Sequence, residues 1–96
     1  MAHLCKQRRD CSITKYDLIK LWNDQNGLCA ITKRPMILDA QHPYPFRPSV
    51  DRIDNSKGYH IANIRLVWYF VNVARNKWTD DQLIECCDAV VKGSRR

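Results

Sequence analysis

Three observations predict a small α+β domain. The 96 residues leave room for one core. Two capping boxes, Thr14 with Asp17 and Thr79 with Gln82, announce a helix near each end of the chain. Between them, short apolar runs broken by turn-forming residues read as strands. A chain this short buries only about 60–65% of its unfolded surface, so modest stability is expected, helped by a metal, a partner or a well-packed helical face.

The elements follow in order within a single domain, 1–96. Residues 1–11 read as a basic arm carrying Lys6, Arg8 and Arg9. The first helix is placed at 14–26, with Leu18, Ile19, Leu21 and Trp22 as its apolar face and Gly27 at the C′ position. Leu28–Thr32 is a strand candidate followed by a turn at Lys33–Met36. Residues 38–48 hold three prolines and no regular period, so they read as a loop. Val50–Ile53 is the next strand and Asp54–Gly58 a turn in which Gly58 is expected at positive φ. Ile64–Val67 is another strand, and a helix is expected from Trp68 to about Lys77. A last helix follows Thr79, with Leu83, Ile84, Cys87, Val90 and Val91 on one face.

Composition narrows the partners. The formal charge is +6 with 45% apolar residues, which describes a folded basic domain rather than a disordered chain. Such a domain favours a polyanion, most often nucleic acid; the plainer alternative is a solvated basic face. No run approaches the roughly 18–20 apolar residues that cross a bilayer, so no membrane partner is expected. The N-terminus lacks the apolar core of a secretory signal. The five cysteines, Cys5, Cys11, Cys29, Cys86 and Cys87, form an odd and irregular set with no CxxC pair. That pattern implies reduced thiols and a cytoplasmic setting.

The stretch from Val50 to Lys77 carries the chemistry. Asp51 falls late in one strand, Asn63 just before the next, and Asn72 about one turn into the following helix. A hairpin packed on that helix would bring Asp51 and Asn72 together as oxygen ligands for a hard cation such as Mg²⁺. The plainer reading of Asp and Asn at loop boundaries is turn capping.

Residues 27–77 resemble the HNH (ββα-metal, His-Me finger) endonucleases, and more narrowly the short phage and prophage HNH-type proteins with a DRID…KGY…NIRLV core. GLCAITKRPM resembles the family's opening Gly-x-Cys-x-x-[Thr/Cys]-Gly-x-Pro-[Met/Leu] segment. SVDRID resembles the strand that ends in Asp-His in typical members. NIRLVWYFVN resembles the run from the middle Asn into the metal-binding helix, with Asn72 nine residues after Asn63. The resemblance implies a ββα-metal core flanked by an N-terminal and a C-terminal helix. It also implies Asp51 and Asn72 as ligands of Mg²⁺, Mn²⁺ or a similar divalent ion, and Asn63 as the brace of the loop.

Two departures from the family pattern matter. The residue after the Asp is usually the His that takes a proton from the attacking water, and here it is Arg52. Arginine stays protonated at any relevant pH and cannot be a general base, but it can hold a phosphate or offset charge in the transition state. His60 is the nearest replacement base in sequence, with His42 a second candidate, His3 a remote one, and Asp54 able to hold a water or add a ligand. An ion that lowers the pKa of a water would also reduce the need for a base. The second departure concerns the zinc knuckle of two CxxC pairs found in many members. Cys29, Thr32, Trp68 and Val71 occupy those positions, so structural zinc is not expected and apolar packing takes its place.

Arg47, Lys57, Arg65, Arg75 and Lys77, with Lys33 and Arg34, are expected to contact phosphates. Trp22, Trp68, Trp78, Tyr69 and Phe70 are expected in the core. The function implied is a divalent-metal-dependent DNA endonuclease or nickase, with a homodimer as one way for so short a chain to reach both strands. The alternative is a nuclease-derived DNA-binding or protein-interaction module that has lost efficient chemistry with its histidine. A phage accessory acting on a host or packaging protein is a third class.

Overall fold

The computed structural model describes residues 10–39 and 44–95. Most of the arm, with His3, and His42 in the Pro-rich loop lie outside them. The described chain is α+β. Helix α1 (Lys15–Asp24) is followed by strands β1 (Pro48–Arg52) and β2 (Ile64–Trp68), then by helices α2 (Tyr69–Arg75) and α3 (Asp80–Ser94). The two strands pair antiparallel, with Pro48 opposite Trp68 and Arg52 opposite Ile64.

Strand alternation separates the faces of this sheet. Val50 and Leu66 lie opposite one another and line a groove with Leu18, Ile19 and Trp22 of α1. Ser49, Asp51, Arg65 and Val67 point the other way, towards α2, which follows β2 directly. The core is Ile13, Leu18, Cys29, Met36, Ile64, Leu66, Val67, Val71 and Leu83, with Cys29 and Val67 fully enclosed. The outer edge of β2 is closed by side-chain and loop contacts. Gln25 pairs its amide with the Leu66 backbone in both directions, and the Ala30 N–H donates to Leu66 O.

α1 begins at the expected capping box, where the Thr14 hydroxyl accepts from the Asp17 N–H and the Asp17 carboxylate accepts from the Thr14 N–H. The chain leaves the helix through Asn26 and Gly27, at φ +56° and +70°. A Cβ on Gly27 would also lie 3.0 Å from the Trp22 ring. Leu28–Thr32 forms no strand. Leu28 makes an isolated bridge to Pro35, and the chain doubles back through a turn with Lys33 at φ +62°. The Lys33 N–H donates to Cys29 O, and the Cys29 N–H donates to Arg34 O. The reversal comes too early for a ladder to extend.

Two further expectations change. Gly58 is not at positive φ, Gly27 being the glycine that is. Gly58 is needed because the chain at Asp10 passes directly over it, and an added Cβ would lie 2.1 Å from Asp10 O. Residues 10–12 are therefore a strap rather than part of a loose arm. Tyr59 N–H donates to Asp10 O and Ser12 N–H to Tyr59 O, both at 2.8 Å. Cys11, within this strap, is disulfide-bonded, so the expectation of reduced thiols fails there, while Cys29, Cys86 and Cys87 are free.

α3 starts at its capping box, Thr79 with Gln82, and carries Asp80 and Asp81 in its first turn, where the helix dipole favours acids. Of its expected apolar face only Leu83 reaches the core; Ile84, Val90 and Val91 are exposed. Among the described residues no helix is long and apolar enough to cross a membrane.

Candidate active site

The hairpin brings Asp51, Arg52 and Asn72 to one concavity of about 350 Å³, completed by Val50, Asn55, Tyr59, Val73 and Asn76. Asp51 and Arg52 are the last two residues of β1, at the mouth of the loop. Helix α2 supplies Asn72. Its Nδ2 donates to Ser49 Oγ at 2.7 Å and to Val50 O at 3.1 Å. A carbonyl can only accept, so the amide orientation is fixed, and the Asn72 carbonyl oxygen is the atom left for the pocket.

Asp51 is only 3% exposed and is held by two guanidinium groups. Arg65, directly opposite on β2, donates from Nε to Asp51 Oδ2 at 2.8 Å. Arg75, three residues beyond Asn72, donates from Nη1 to Asp51 Oδ1 at 3.0 Å and to Arg52 O at 2.9 Å, and from Nη2 to Ile53 O at 2.8 Å. Asp80 closes the ring. It accepts a two-pronged contact from Arg65 at 2.8 and 3.0 Å, and it lies 2.7 Å from Arg75 Nε. That last N–H has no aligned acceptor, so the contact is an ion pair without a good hydrogen bond. Arg65 holds the Asp80 carboxyl below its ordinary range, against the opposing effect of partial burial. Burial alone would lower the Arg65 pKa, but Asp80 and Asp51 raise it.

This ring corrects two expected roles. Arg65 and Arg75 face inwards, Arg75 being 5% exposed, and their charge is used on Asp51 and Asp80 rather than offered to a phosphate. Arg75 stands three residues after Asn72 in α2. Val71 and Arg75 are the buried residues of that helix, so the Arg75 guanidinium lies on its inward face.

Arg52 has the opposite environment. Its Nη1 donates to Asn55 O and Lys57 O at 3.2 and 3.3 Å, and its guanidinium lies over the Tyr59 ring, 5.1 Å from the centroid. Arg52 and Tyr59 also line a smaller neighbouring hollow of about 210 Å³ with Lys57 and Gly58. Asn63 ties this loop together. Its side chain accepts from Asp54 N–H and donates to Asp54 O and Gly58 O, while its own backbone carbonyl accepts from Ile53 N–H. Asp54 is turned to Ser56, whose hydroxyl and N–H hold the carboxyl below its ordinary range.

His60 is not among the residues that line the Asp51–Asn72 pocket. Both ring nitrogens are engaged with the strap, Nδ1 with Ser12 Oγ at 2.7 Å and Nε2 with the Asp10 carboxylate. The strap, which no sequence motif announces, captures the side chain expected as a replacement base. Lys57 and Lys77 are exposed, Lys77 lying over the Trp78 ring, while Arg47 is half-buried beside the start of α2.

At the knuckle positions, Cys29 Sγ accepts from the Thr32 and Trp68 N–H groups at 3.4 and 3.3 Å. Burial pushes that thiol up, but these donors outweigh it and leave the pKa below the usual value. Trp68 donates its indole N–H to Pro35 O and packs against the Phe46 ring at a tilt of 45°, and Val71 is buried. The aromatic residues divide. Trp22 and Trp68 are packed against the core, whereas Tyr69, Phe70 and Trp78 are 39%, 56% and 49% exposed. Tyr69 and Phe70 are the first two residues of α2 and lie on its exposed side. A scan against protein-family models and a search of the curated proteins each return no match for the chain.

Proposed function

We propose that the protein acts on the phosphodiester backbone of DNA at the Asp51–Arg52–Asn72 pocket, as a divalent-metal-dependent nuclease or nickase of the HNH type. The observation that carries this reading is the convergence of those three side chains, from two elements, on one open concavity. In a folded domain of charge +6, a polyanion is the natural occupant.

The residues fit a hard cation by donor type. The Asn72 carbonyl oxygen is left over after its Nδ2 is bound to β1, and the Asp51 carboxylate has more lone pairs than its guanidinium partners use. Asp51 and Asn72 would hold the ion, which when bound would polarise the phosphate and lower the pKa of a water. Arg52 would grip phosphate oxygens through Nη2 and Nε, while Nη1 stays on the loop carbonyls. Tyr59 supports that guanidinium from beneath. Asn63 keeps the loop at one shape, so Arg52 needs no reorganisation when a phosphate arrives. Lys57 and Lys77 would add backbone contacts without reading sequence.

A second reading, a DNA-binding module without efficient chemistry, is favoured by a specific observation. The Asp51 charge is already offset by Arg65 and Arg75, and His60 is bound to the strap. Supercoiled plasmid incubated with Mg²⁺, Mn²⁺ or EDTA separates the two. Metal-dependent nicking that is lost in Asn72→Ala supports the nuclease. Binding without nicking under every condition supports the module. Asn72→Ala is the informative variant because Asp51→Ala also breaks the ion-pair ring and would confuse loss of activity with loss of fold. Arg52→His asks whether an imidazole at that position raises the rate.

A further inference from the structure

Helix α3 leaves the body of the protein after its first turns. Leu83 is its one buried residue, Ile84, Val90 and Val91 are 57%, 66% and 45% exposed, and Cys86 and Cys87 are exposed. A Cβ added to Gly93 would meet nothing within 4 Å. The radius of gyration is 14.2 Å, against about 12–13 Å for a compact chain of this length. A helix of about 15 residues is marginal in water unless an apolar face is covered. Here the uncovered face exists, as Ile84, Cys87, Val90 and Val91 at helical spacing beyond the core residue Leu83.

We propose that this stripe is a homodimer interface on which α3 of a second copy packs antiparallel. A two-fold axis at Cys87 sets Ile84 against the partner's Val90, while Leu83 stays in the core of its own copy. Each copy's Cys87 then faces the partner's Cys87. Such self-complementarity is what an isologous contact requires. Charge gives the direction. The first half of α3 carries Asp80, Asp81, Glu85 and Asp88, and the far end carries Lys92 and Arg95. A parallel pair would set acid against acid. The antiparallel pair brings Lys92 beside the partner's Asp81 and the partner's Glu85, and it opposes the two helix dipoles favourably. A helix of 15 residues is about 22 Å long, so the contact is at the small end of specific interfaces.

Sedimentation of the full chain from low to several hundred micromolar tests the association. A monomer–dimer equilibrium is expected, abolished in Ile84→Glu/Val91→Glu with an unchanged circular dichroism spectrum for the rest of the fold. Both substituted positions are exposed in the monomer, so the variant should fold. The adjacent cysteines supply an internal control, since they sit about 100° apart on the helix. With a short bis-maleimide, Cys86→Ser should give covalent dimer through Cys87, and Cys87→Ser should not. A monomer at every concentration overturns the proposal. So does a dimer that survives the double substitution, or one cross-linked equally through Cys86.

Discussion

Two regions of this small protein handle arginine in opposite ways. On the α2 side of the sheet, Arg65 and Arg75 are enclosed and matched by Asp51 and Asp80, two cations to two anions within a single ring. At the loop mouth, Arg52 donates to two carbonyls and lies over an aromatic face, and among the described residues it makes no ion pair. Side chains one residue apart in β1, Asp51 and Arg52, belong to these two regimes. Counting basic residues therefore overstates the surface available to a polyanion. The ring fastens α3 and the hairpin together; the loop mouth is where binding would occur.

The largest expected effect comes from breaking the ring. Asp51→Asn leaves the buried guanidinium of Arg75 short of a charge partner, and removing one member of a buried pair costs about 3 kcal/mol. For a domain of this size that corresponds to a melting temperature lower by roughly 15 °C. Arg52→Met, on the open side, should change stability by less than about 0.5 kcal/mol. Equal effects in thermal unfolding would erase the distinction between the two regions.

The next largest effect separates the loop from its strap. Gly58→Ala would force a methyl group into Asp10 O, and overpacking of this kind costs on the order of 2 kcal/mol. The strap should lift, so the amides of Ser12 and Tyr59, which hold it to the loop, should lose hydrogen-exchange protection before those of β1 and β2. If His60 is a base held in reserve, nicking by this variant should rise despite the lower stability; if it only anchors the strap, nicking should fall with stability.

Acid should act on the ring through Asp80. Its folded pKa lies below the ordinary carboxylate value, mainly because Arg65 donates to it. The contribution to stability is thus complete above the unfolded pKa of about 3.9 and disappears as pH falls through the lower folded value. Exchange at the α2–α3 junction should accelerate below about pH 4, and Asp80→Asn should show that behaviour already at neutral pH, at a cost of about 1 kcal/mol. The side chain is 42% exposed, which keeps this effect well below that of Asp51.

The legible parts of the fold were those set by local rules. Both capping boxes start helices where Thr14 and Thr79 stand, and the hairpin and following helix lie within a residue or two of their expected ends. What could not be read depended on contacts distant in sequence. Asp10 and Ser12 lie about 50 residues from the loop they strap, so nothing near His60 signals their arrival. Asp80 looks like an ordinary first-turn acid until α3 meets the sheet. The apolar stripe of α3 reads as core because period identifies an apolar face but not what covers it. For the site, the neighbours Asp51, Arg52 and Asn72 were legible, while the partition of the arginines required the cross-strand register.

The smallest effect sets the scale for the others at a position outside both regions. Lys33 adopts φ +62° in the turn after Cys29. A left-handed conformation costs a non-glycine residue roughly 1–2 kcal/mol, and glycine returns about 0.5–1 kcal/mol of that as extra unfolded-state freedom. Lys33→Gly also loses the exposed bond from Nζ to Ala30 O. The balance should be a gain of about 0.5 kcal/mol, read as a melting temperature higher by roughly 2–4 °C. A loss instead would mean that the Lys33 side chain holds the turn more strongly than its backbone strains it.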